Sequence, residues 1–461
     1  MLKTDIAEQP QTTGKGARKW IYPVIRKGKL YNYRNWLSYV YLLAFFTGPF
    51  LRINGHPLLL LNVMERRFVL LGQVFWPQDF FLFVLAVLAF LVCIVFFTMA
   101  FGRVFCGWIC PQTIFMEMVF RKIEIWIEGD AKKRRKLDEG SLTRDKIIKK
   151  SAKHFIFIIV SFLIANTFLA YIIGSENLLK IMTEPVSAHL VGFISIWVFT
   201  AAFYLVYSRV RELVCTVICP YGRLQGVLTD KHTLVIAYDY VRGEPRGKLS
   251  RKDPTIKGDC VDCGLCVDVC PTGIDIRNGS QLECINCTMC IDACNQVMEK
   301  IHRDANLIGF YSEEMIGEKK KPSFTPRMKV YSAIIAVLFG VLAYFIYQRK
   351  DVDVTVMRSG GMLYQEQPGH YISNVYNADL INKTDKPQDI QLVATDPAIQ
   401  VKYIQAPGTL GKESSTKAVF FLMVPLSRIH STKTNIQLNV VEHSKVLNTI
   451  STTFIGPYDE D

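Results

Sequence analysis

Five stretches of this chain, near Asn35–Leu51, Phe80–Phe101, His154–Gly174, Ala188–Ser208 and Met328–Tyr347, are long and apolar enough to cross a bilayer, which takes about 20 residues as a helix. In lipid the backbone must satisfy its own hydrogen bonds, so such segments fold as helices and assign every connection to one side or the other. The first span, "WLSYVYLLAFFTGPF", is the shortest and carries Gly48 and Pro49; its aromatic belt and basic flank qualify it. Lysine and arginine orient the set. Residues 1–34 hold 8 of them and 103–153 hold 13, against 3 in 52–79 and 1 in 175–187, so the basic connections belong in the cytoplasm. Residues 209–327 are then cytoplasmic and residues 350–461 lie on the far side. The net charge of +13 crowds beside the spans, where anionic lipid is the partner; no nucleic-acid partner is expected. "MLKTDIAEQPQTTGKGARK" has no apolar core, so no cleavable signal is expected.

Thirteen cysteines constrain the rest. Cys93 stands alone in an apolar run and reads as a packed thiol. Twelve fall into four tight groups, a spacing suited to metal ligation in a reducing compartment. "CVDCGLCVDVCP" at Cys260–Pro271 and "CINCTMCIDACN" at Cys284–Asn295 are each C-x2-C-x2-C-x3-C. By that spacing three thiolates of one run hold a cubane cluster and the fourth ligates the other cluster. One [4Fe-4S] cluster takes Cys260, Cys263, Cys266 and Cys294, and the second takes Cys284, Cys287, Cys290 and Cys270. Gly264 supplies backbone freedom at the turn. Paired structural zinc sites are the alternative, but they need less than this doubled pattern. Asn295 replaces the proline of the first run, which alters the turn and not the ligation.

"CGWICPQT" at Cys106–Thr113 and "CTVICPYG" at Cys215–Gly222 repeat one CxxxCP phrase, each after an apolar span. On a helix, residues i and i+4 share a face. Pro111 and Pro220 should end the incoming helix and open a new one, with the preceding thiol near a helix N-terminus that lowers its pKa. The offset of 109 residues marks a weak internal repeat, which would bring both motifs to one end of a four-helix bundle. Four thiols there suit a soft ion such as Cu(I); reversible disulfides, a structural zinc, an extra cluster or packed cysteines are the other readings. Met116, Met118 and Met182 lie near in sequence, as soft ligands or core filling. His154 and His189 read as interfacial residues, and "KKRRK" at Lys132–Lys136 and "KIIKK" at Lys146–Lys150 as lipid-facing anchors.

Beyond the fifth span, alternating runs such as "DVTVMR", "QDIQLVAT", "AIQVKYI", "KAVFFLMVPL" and "TNIQLNVVEH" alternate with turn signals. About seven strands of an immunoglobulin-like sandwich without a disulfide are predicted, acting as a cap or docking module. The fold class is therefore a multi-domain integral membrane protein: a cytoplasmic segment (1–34), a four-helix membrane domain with both CxxxCP motifs (35–240), a cytoplasmic α+β 2[4Fe-4S] ferredoxin domain (241–327), a fifth transmembrane helix (328–349) and an all-β domain (350–461).

This order of features resembles the FixG/RdxA/CcoG family of cbb3-type cytochrome c oxidase accessory proteins. The carriers are "KWIYPVIRKGKLYNYRNW", "FCGWICPQT", "CTVICPYGRLQG", the eight-cysteine run, the late span and the β-rich tail. The resemblance covers essentially the whole chain. It implies a multi-pass protein of the bacterial inner membrane that reduces Cu(II) to Cu(I) for oxidase assembly. Copper handling falls on Cys106, Cys110, Cys215 and Cys219, and the implied partners are oxidase assembly factors, copper-transporting ATPases or copper chaperones. The electron donor stays unidentified. Membrane ferredoxins similar to the NapH type, quinol-linked conduits, are the alternative, and they lack the fifth span and external β-domain. A non-enzymatic redox-sensing assembly factor is the third reading.

Overall fold

The computed structural model describes residues 20–53, 55–62, 67–70, 72–75, 79–248, 258–349, 351–361, 363–384, 386–412, 414–429, 431–443 and 445–457. The amino-terminal segment in which a signal was sought, residues 1–19, lies outside the described residues. The chain forms two compact units, Met1–Leu342 and Ala343–Asp461, so the division falls within the last apolar helix and a few residues before the boundary read from sequence.

In the first unit the principal helices are α1 (Lys29–Thr47), α2 (Phe80–Phe101), α3 (Arg144–Ile173), α4 (Leu190–Leu205), α5 (Pro220–Leu228), α6 (Met289–Lys300) and α7 (Pro326–Tyr347). Among the described residues four helical segments, not five, are long and apolar enough to cross a membrane: Phe80–Phe101, Arg144–Ile173, Leu190–Val210 and Pro326–Tyr347. The first expected span is present as α1, but its opening turns carry Asn32, Arg34, Asn35 and Ser38, and Arg34 and Ser38 are buried against protein. Its 19 residues still extend roughly 28 Å. Asp292 of α6 accepts from the Leu30 and Tyr31 amides at one end. At the other, the Tyr171 hydroxyl of α3 donates to the Ala44 and Phe45 carbonyls. Thus α1 runs from the ferredoxin part to the carboxy-terminal end of α3. Between α1 and α2 the chain forms a short hairpin and a three-stranded meander of Leu59–Asn62, Arg67–Leu70 and Gln73–Phe75, which the hydropathy pattern did not announce.

The ferredoxin part joins strand β1 (Val235–Tyr238) antiparallel to β2 (Ile308–Tyr311). Between them lie the two cysteine runs, leading into the helix Leu265–Asp268 and into α6. The two runs adopt matching backbones. Asp262 and Asn286 have φ of 51° and 54°, and Gly264 and Thr288 have φ of 70° and 67°. Gly264 meets the left-handed requirement without a Cβ; Thr288, fully buried, meets it under strain.

The second unit is a two-sheet sandwich. One sheet orders Gln400–Gln405, Ser415–Pro425, Tyr371–Asn382 and Val352–Arg358, with Gln365–Gln367 added beside Tyr371–Asn382. The other orders Thr409–Leu410, Gln388–Ala394, Lys433–Glu442 and Lys445–Ile455. The inward residues alternate along each strand, and Tyr376, Leu392, Phe420, Leu438 and Phe454 meet in one core. Among the described residues nine strands stand where about seven were predicted. Tyr371–Asn382 was absent from the alternating runs because Asn374 and Asn382 occupy buried positions, where their amides bond the backbone carbonyls of Ile455, Lys386 and Gly411.

Candidate functional site

The two CxxxCP motifs share one construction. α2 ends at Gly102 (φ 58°, ψ −136°) and the π-helical continuation of α4 ends at Arg211 (φ 56°, ψ −124°), each four residues before the first cysteine. In both motifs the amide of the second cysteine bonds five residues back, Cys110 to Phe105 and Cys219 to Val214, at 2.9 and 2.7 Å. Cys110 and Cys219 are extended, as a residue before proline must be, and Pro111 and Pro220 each occupy the first position of the next helix. The cysteines of each pair are therefore not on one straight helical face: Cys106 belongs to a short turn, Val104–Trp108, and Cys110 caps the following helix.

The motifs meet. Arg103, of the first, donates to the Cys215 carbonyl at 3.1 Å and also to the Leu282 carbonyl of the ferredoxin loop. Gln112 donates to the Arg211 carbonyl at 3.3 Å, and the Cys106 thiol faces Gln225 Oε1 at 3.7 Å. Burial pushes the thiols of Cys106 and Cys110 up and that of Cys215 to about 12. The expected lowering at the new helix start exists, since the Thr113 and Gln112 amides favour the Cys110 thiolate, but desolvation outweighs it. No disulfide joins any of the thirteen cysteines.

A buried charge network holds the second motif. Arg211 is 1% exposed, and both of its Nη atoms bond Glu124, at 2.6 and 2.9 Å. Arg134 reaches the same carboxylate at 3.1 Å and Lys153 at 3.9 Å. Burial raises the Glu124 pKa, yet the charges of Arg211, Lys153 and Arg121 reverse this and hold it at about 2. A non-glycine residue at the Arg211 backbone angles is strained; the bidentate pair is what fixes it there. The 109-residue offset of the repeat sets Arg211 opposite Gly102.

The ferredoxin cysteines group as their spacing predicts. One cavity is lined by Cys260, Cys263, Cys266 and Cys294, and a neighbouring one by Cys270, Cys284, Cys287 and Cys290, with Cys266 between them. Packing in this interior raises the thiols of Cys266 and Cys287 to about 11 and those of Cys284 and Cys294 to about 12. Two four-thiol cavities with apolar walls fit two cubane clusters, whose iron displaces the thiol protons on binding. Arg103 and Arg34 bring positive charge to Cys284 and Cys287 respectively. Cys263 is exposed, whereas Cys287 is buried against the membrane domain.

That second cavity abuts the CxxxCP motifs. A Cβ on Gly107 would collide with the Ile285 carbonyl, so the absent side chain lets the two backbones touch. Cys106, Met118, Ile285 and Cys287 share one apolar cluster, with Cys215, Tyr221 and Cys290 packed on it. Met116 is buried in a separate aromatic cluster and Met182 is exposed. His154 bonds the Tyr204 hydroxyl at 3.0 Å and His189 bonds Glu184 at 2.6 Å, as interfacial histidines do.

Comparison with known proteins bears on each part. Residues 210–313 match a 4Fe-4S dicluster domain, residues 83–134 a 4Fe-4S binding domain, and residues 342–457 an IG-like fold at the C-terminal of FixG. The chain is 32% identical to protein RdxB of Cereibacter sphaeroides over 401 residues, 83% of each chain. It is 33% identical to protein RdxA of the same organism over 396 residues, 82% of each chain. It is 30% identical to nitrogen fixation protein FixG of Rhizobium meliloti over 421 residues, 81% of this chain and 79% of the relative. A crystal structure of a FixG-related protein from Vibrio parahaemolyticus aligns with 23% of this chain and 97% of its own, at 18% identity and a TM-score of 0.20. Apolar helices, iron-sulfur domains and these relatives together make this a membrane iron-sulfur electron-transfer protein, and the chain belongs to the FixG/RdxA family.

Proposed function

We propose that the chain is a cupric reductase, taking Cu(II) as substrate at Cys106, Cys110, Cys215 and Cys219 and releasing Cu(I) for assembly of a cbb3-type oxidase. The observation that carries this reading is the convergence of the two CxxxCP motifs against the loop that bears Cys284 and Cys287. Thiolates favour Cu(I) over Cu(II), so binding through sulfur makes reduction of the ion easier. Clusters bound in the ferredoxin part supply one-electron chemistry beside that site. The chain's own groups do the rest. Arg103 ties the two motifs together and favours their thiolates, the buried setting excludes water, and the thiols release protons as the metal enters.

The topology follows the charges. The amino-terminal and ferredoxin parts are cytoplasmic by their Lys and Arg content, and α7 alone connects the ferredoxin part to the β-sandwich. The sandwich is then periplasmic, α1 counts as a span because the amino-terminal and ferredoxin parts share the cytoplasmic side, and the membrane is the bacterial inner membrane. Oxidase assembly factors, copper-transporting ATPases or copper chaperones are the partners this reading implies.

One observation favours a second reading. Residues 83–134, matched as a 4Fe-4S binding domain, hold only Cys93, Cys106 and Cys110 as cysteines. On that reading the CxxxCP thiols serve iron and not copper. The test is anaerobic. Protein with reduced clusters is mixed with Cu(II), and Cu(I) is captured by a chromogenic chelator, for wild type and for a variant with all four CxxxCP cysteines changed to Ser. Cu(I) formation in wild type alone, with cluster iron equal in both, supports copper reduction at these thiols. Loss of cluster iron from the variant supports the second reading.

A further inference from the structure

Arg34, on the opening turns of α1, is 3% exposed, and its buried Nη2 has no hydrogen-bond partner among the described residues. The acids around it are spent elsewhere: Glu117 bonds Arg121 at 2.8 Å, and Asp292 accepts from the amides of Leu30 and Tyr31. A buried charge without a counter-charge is costly, so a guanidinium here calls for an anion beside it. Tyr31, one turn earlier on α1, packs with Cys287 and Cys290 in one apolar cluster, and the charge of Arg34 acts on the Cys287 thiol. The counter-charge is therefore on the second cavity, whose Cys270, Cys284, Cys287 and Cys290 become thiolates when iron is bound. Arg103 adds to the same side. It donates to the carbonyls of Leu282 and Cys215, not to a carboxylate, and its charge acts on Cys284.

The first cavity is built differently. Arg277, whose charge acts on Cys266, is bonded by Asp262 and Asp275 at 2.5 and 2.7 Å. Arg242, which acts on Cys294, shares Asp259 with Arg303, at 2.5 and 2.7 Å. Those cations are cancelled by carboxylates in contact with them. Asp292 lies on α6 between Cys290, of the second cavity, and Cys294, of the first, and so does not separate the two. Exposure acts in the same direction, because Cys263 meets water while Cys287 is buried, and a charge counts for more where water does not screen it.

One-electron reduction of a cubane adds one negative charge, so an uncancelled cation beside it favours the reduced form. We propose that Arg34 tunes the second cluster: its uncompensated charge, aided by that of Arg103, sets the reduction potential of the cluster held by Cys270, Cys284, Cys287 and Cys290 above that of the first. Arg34 is not among the walls of either cavity; it is a positioning residue that acts across Cys287. This deepens the proposed function by ranking the two clusters, with the higher potential beside the CxxxCP motifs. It rests on the iron-sulfur part of that reading and not on copper as the substrate.

The test is a redox titration, without copper, of full-length protein carrying its clusters in lipid nanodiscs, followed by electron paramagnetic resonance. Two one-electron waves are expected, the second cluster's at the higher potential, and Cys263→Ser, which alters a ligand of the first cluster alone, identifies which wave is which. In Arg34→Gln the ratio of reduced to oxidised second cluster at a fixed potential should fall about tenfold, a shift of about 59 mV, with the first wave in place. Arg34→Lys keeps the charge and should stay near wild type. Asp275→Asn uncovers the charge of Arg277 and should raise the first wave, narrowing the gap. Iron content equal to wild type shows that the variants are loaded. A second wave that lies below the first in wild type, that does not move in Arg34→Gln, or that moves equally in Arg34→Lys overturns the assignment, as does equal movement of both waves. Should Arg34→Gln lose its iron, the wild-type order of the waves and Asp275→Asn decide, and a first wave that stays in place in Asp275→Asn overturns the argument from charge. Failure of the copper assay with these shifts intact removes copper as the substrate and leaves the tuning; the reverse result removes the tuning alone.

Discussion

Replacing Glu124 with Gln should loosen the second CxxxCP motif without touching a cysteine. Glu124 is 3% exposed and carries three cationic partners, Arg211, Arg134 and Lys153. Glutamine keeps the volume and most of the hydrogen bonding but leaves those cations facing no charge. The fall of the Glu124 pKa from 4.5 to about 2 corresponds to about 3 kcal/mol of stability at neutral pH. Loss of one partner from a buried ion pair costs about 3–5 kcal/mol, and the two routes agree. The midpoint of thermal loss of iron-sulfur absorbance should then fall by roughly 5–10 °C in Glu124→Gln.

The pH dependence has a definite sign. Because the folded pKa is depressed, the stabilisation is complete above the ordinary carboxylate value of 4.5 and drains away as pH falls toward about 2. Between pH 5 and 8 this group adds no slope, and below pH 4.5 wild type should lose more stability than the variant does. A Glu124→Gln protein that melts with wild type at neutral pH, or that shares its acid slope, would refute the argument that this carboxylate holds Arg211 in place.

Substitutions at three further positions probe the joints of the molecule. Gly107→Ala drives a Cβ into the Ile285 carbonyl and should cost about 1–3 kcal/mol, read as a lower thermal midpoint together with slower copper reduction. At Thr288 the backbone is left-handed, so Thr288→Gly should be more stable than Thr288→Ala by about 1 kcal/mol, measured as the difference in midpoint between these variants. Asp292→Ala removes the acceptor for the Leu30 and Tyr31 amides and should cost about 1–2 kcal/mol, seen as faster hydrogen exchange at those two amides with the sandwich unaffected.

What was legible in the sequence was what a short spacing encodes. The eight ferredoxin cysteines are close in the chain, and the 3+1 grouping about two cavities follows from that spacing. The proline after each CxxxC fixed the backbone of the cysteine before it, so the helix break was legible too. The thiol pKa was not. Local rules see the favourable amides of Thr113 and Gln112, while the desolvation that outweighs them is contributed by residues distant in sequence. α1 falls outside the hydropathy-defined spans because its opening turns carry Asn32, Arg34, Asn35 and Ser38, and tertiary packing, which hydropathy does not see, buries Arg34 beside Cys287.

The same reasoning explains why Gly107, Arg103 and Asp292 carried no signal of their own. Each acts on a partner more than a hundred residues away: Gly107 on Ile285, Arg103 on Leu282, and Asp292 on the start of α1. Together they fasten the ferredoxin part to the membrane helices at three separate points. A donor tethered by a flexible linker would sample many separations from the thiols it serves. Here the loop bearing Cys284 and Cys287 is in backbone contact with the CxxxCP turn, and the cost of ordering that contact is met once, on folding. It follows that the motifs and the ferredoxin part should gain or lose function as one unit, and that a ferredoxin domain expressed alone should lose the contacts that Gly107 and Arg103 make with Ile285 and Leu282, on the loop that flanks its second cavity.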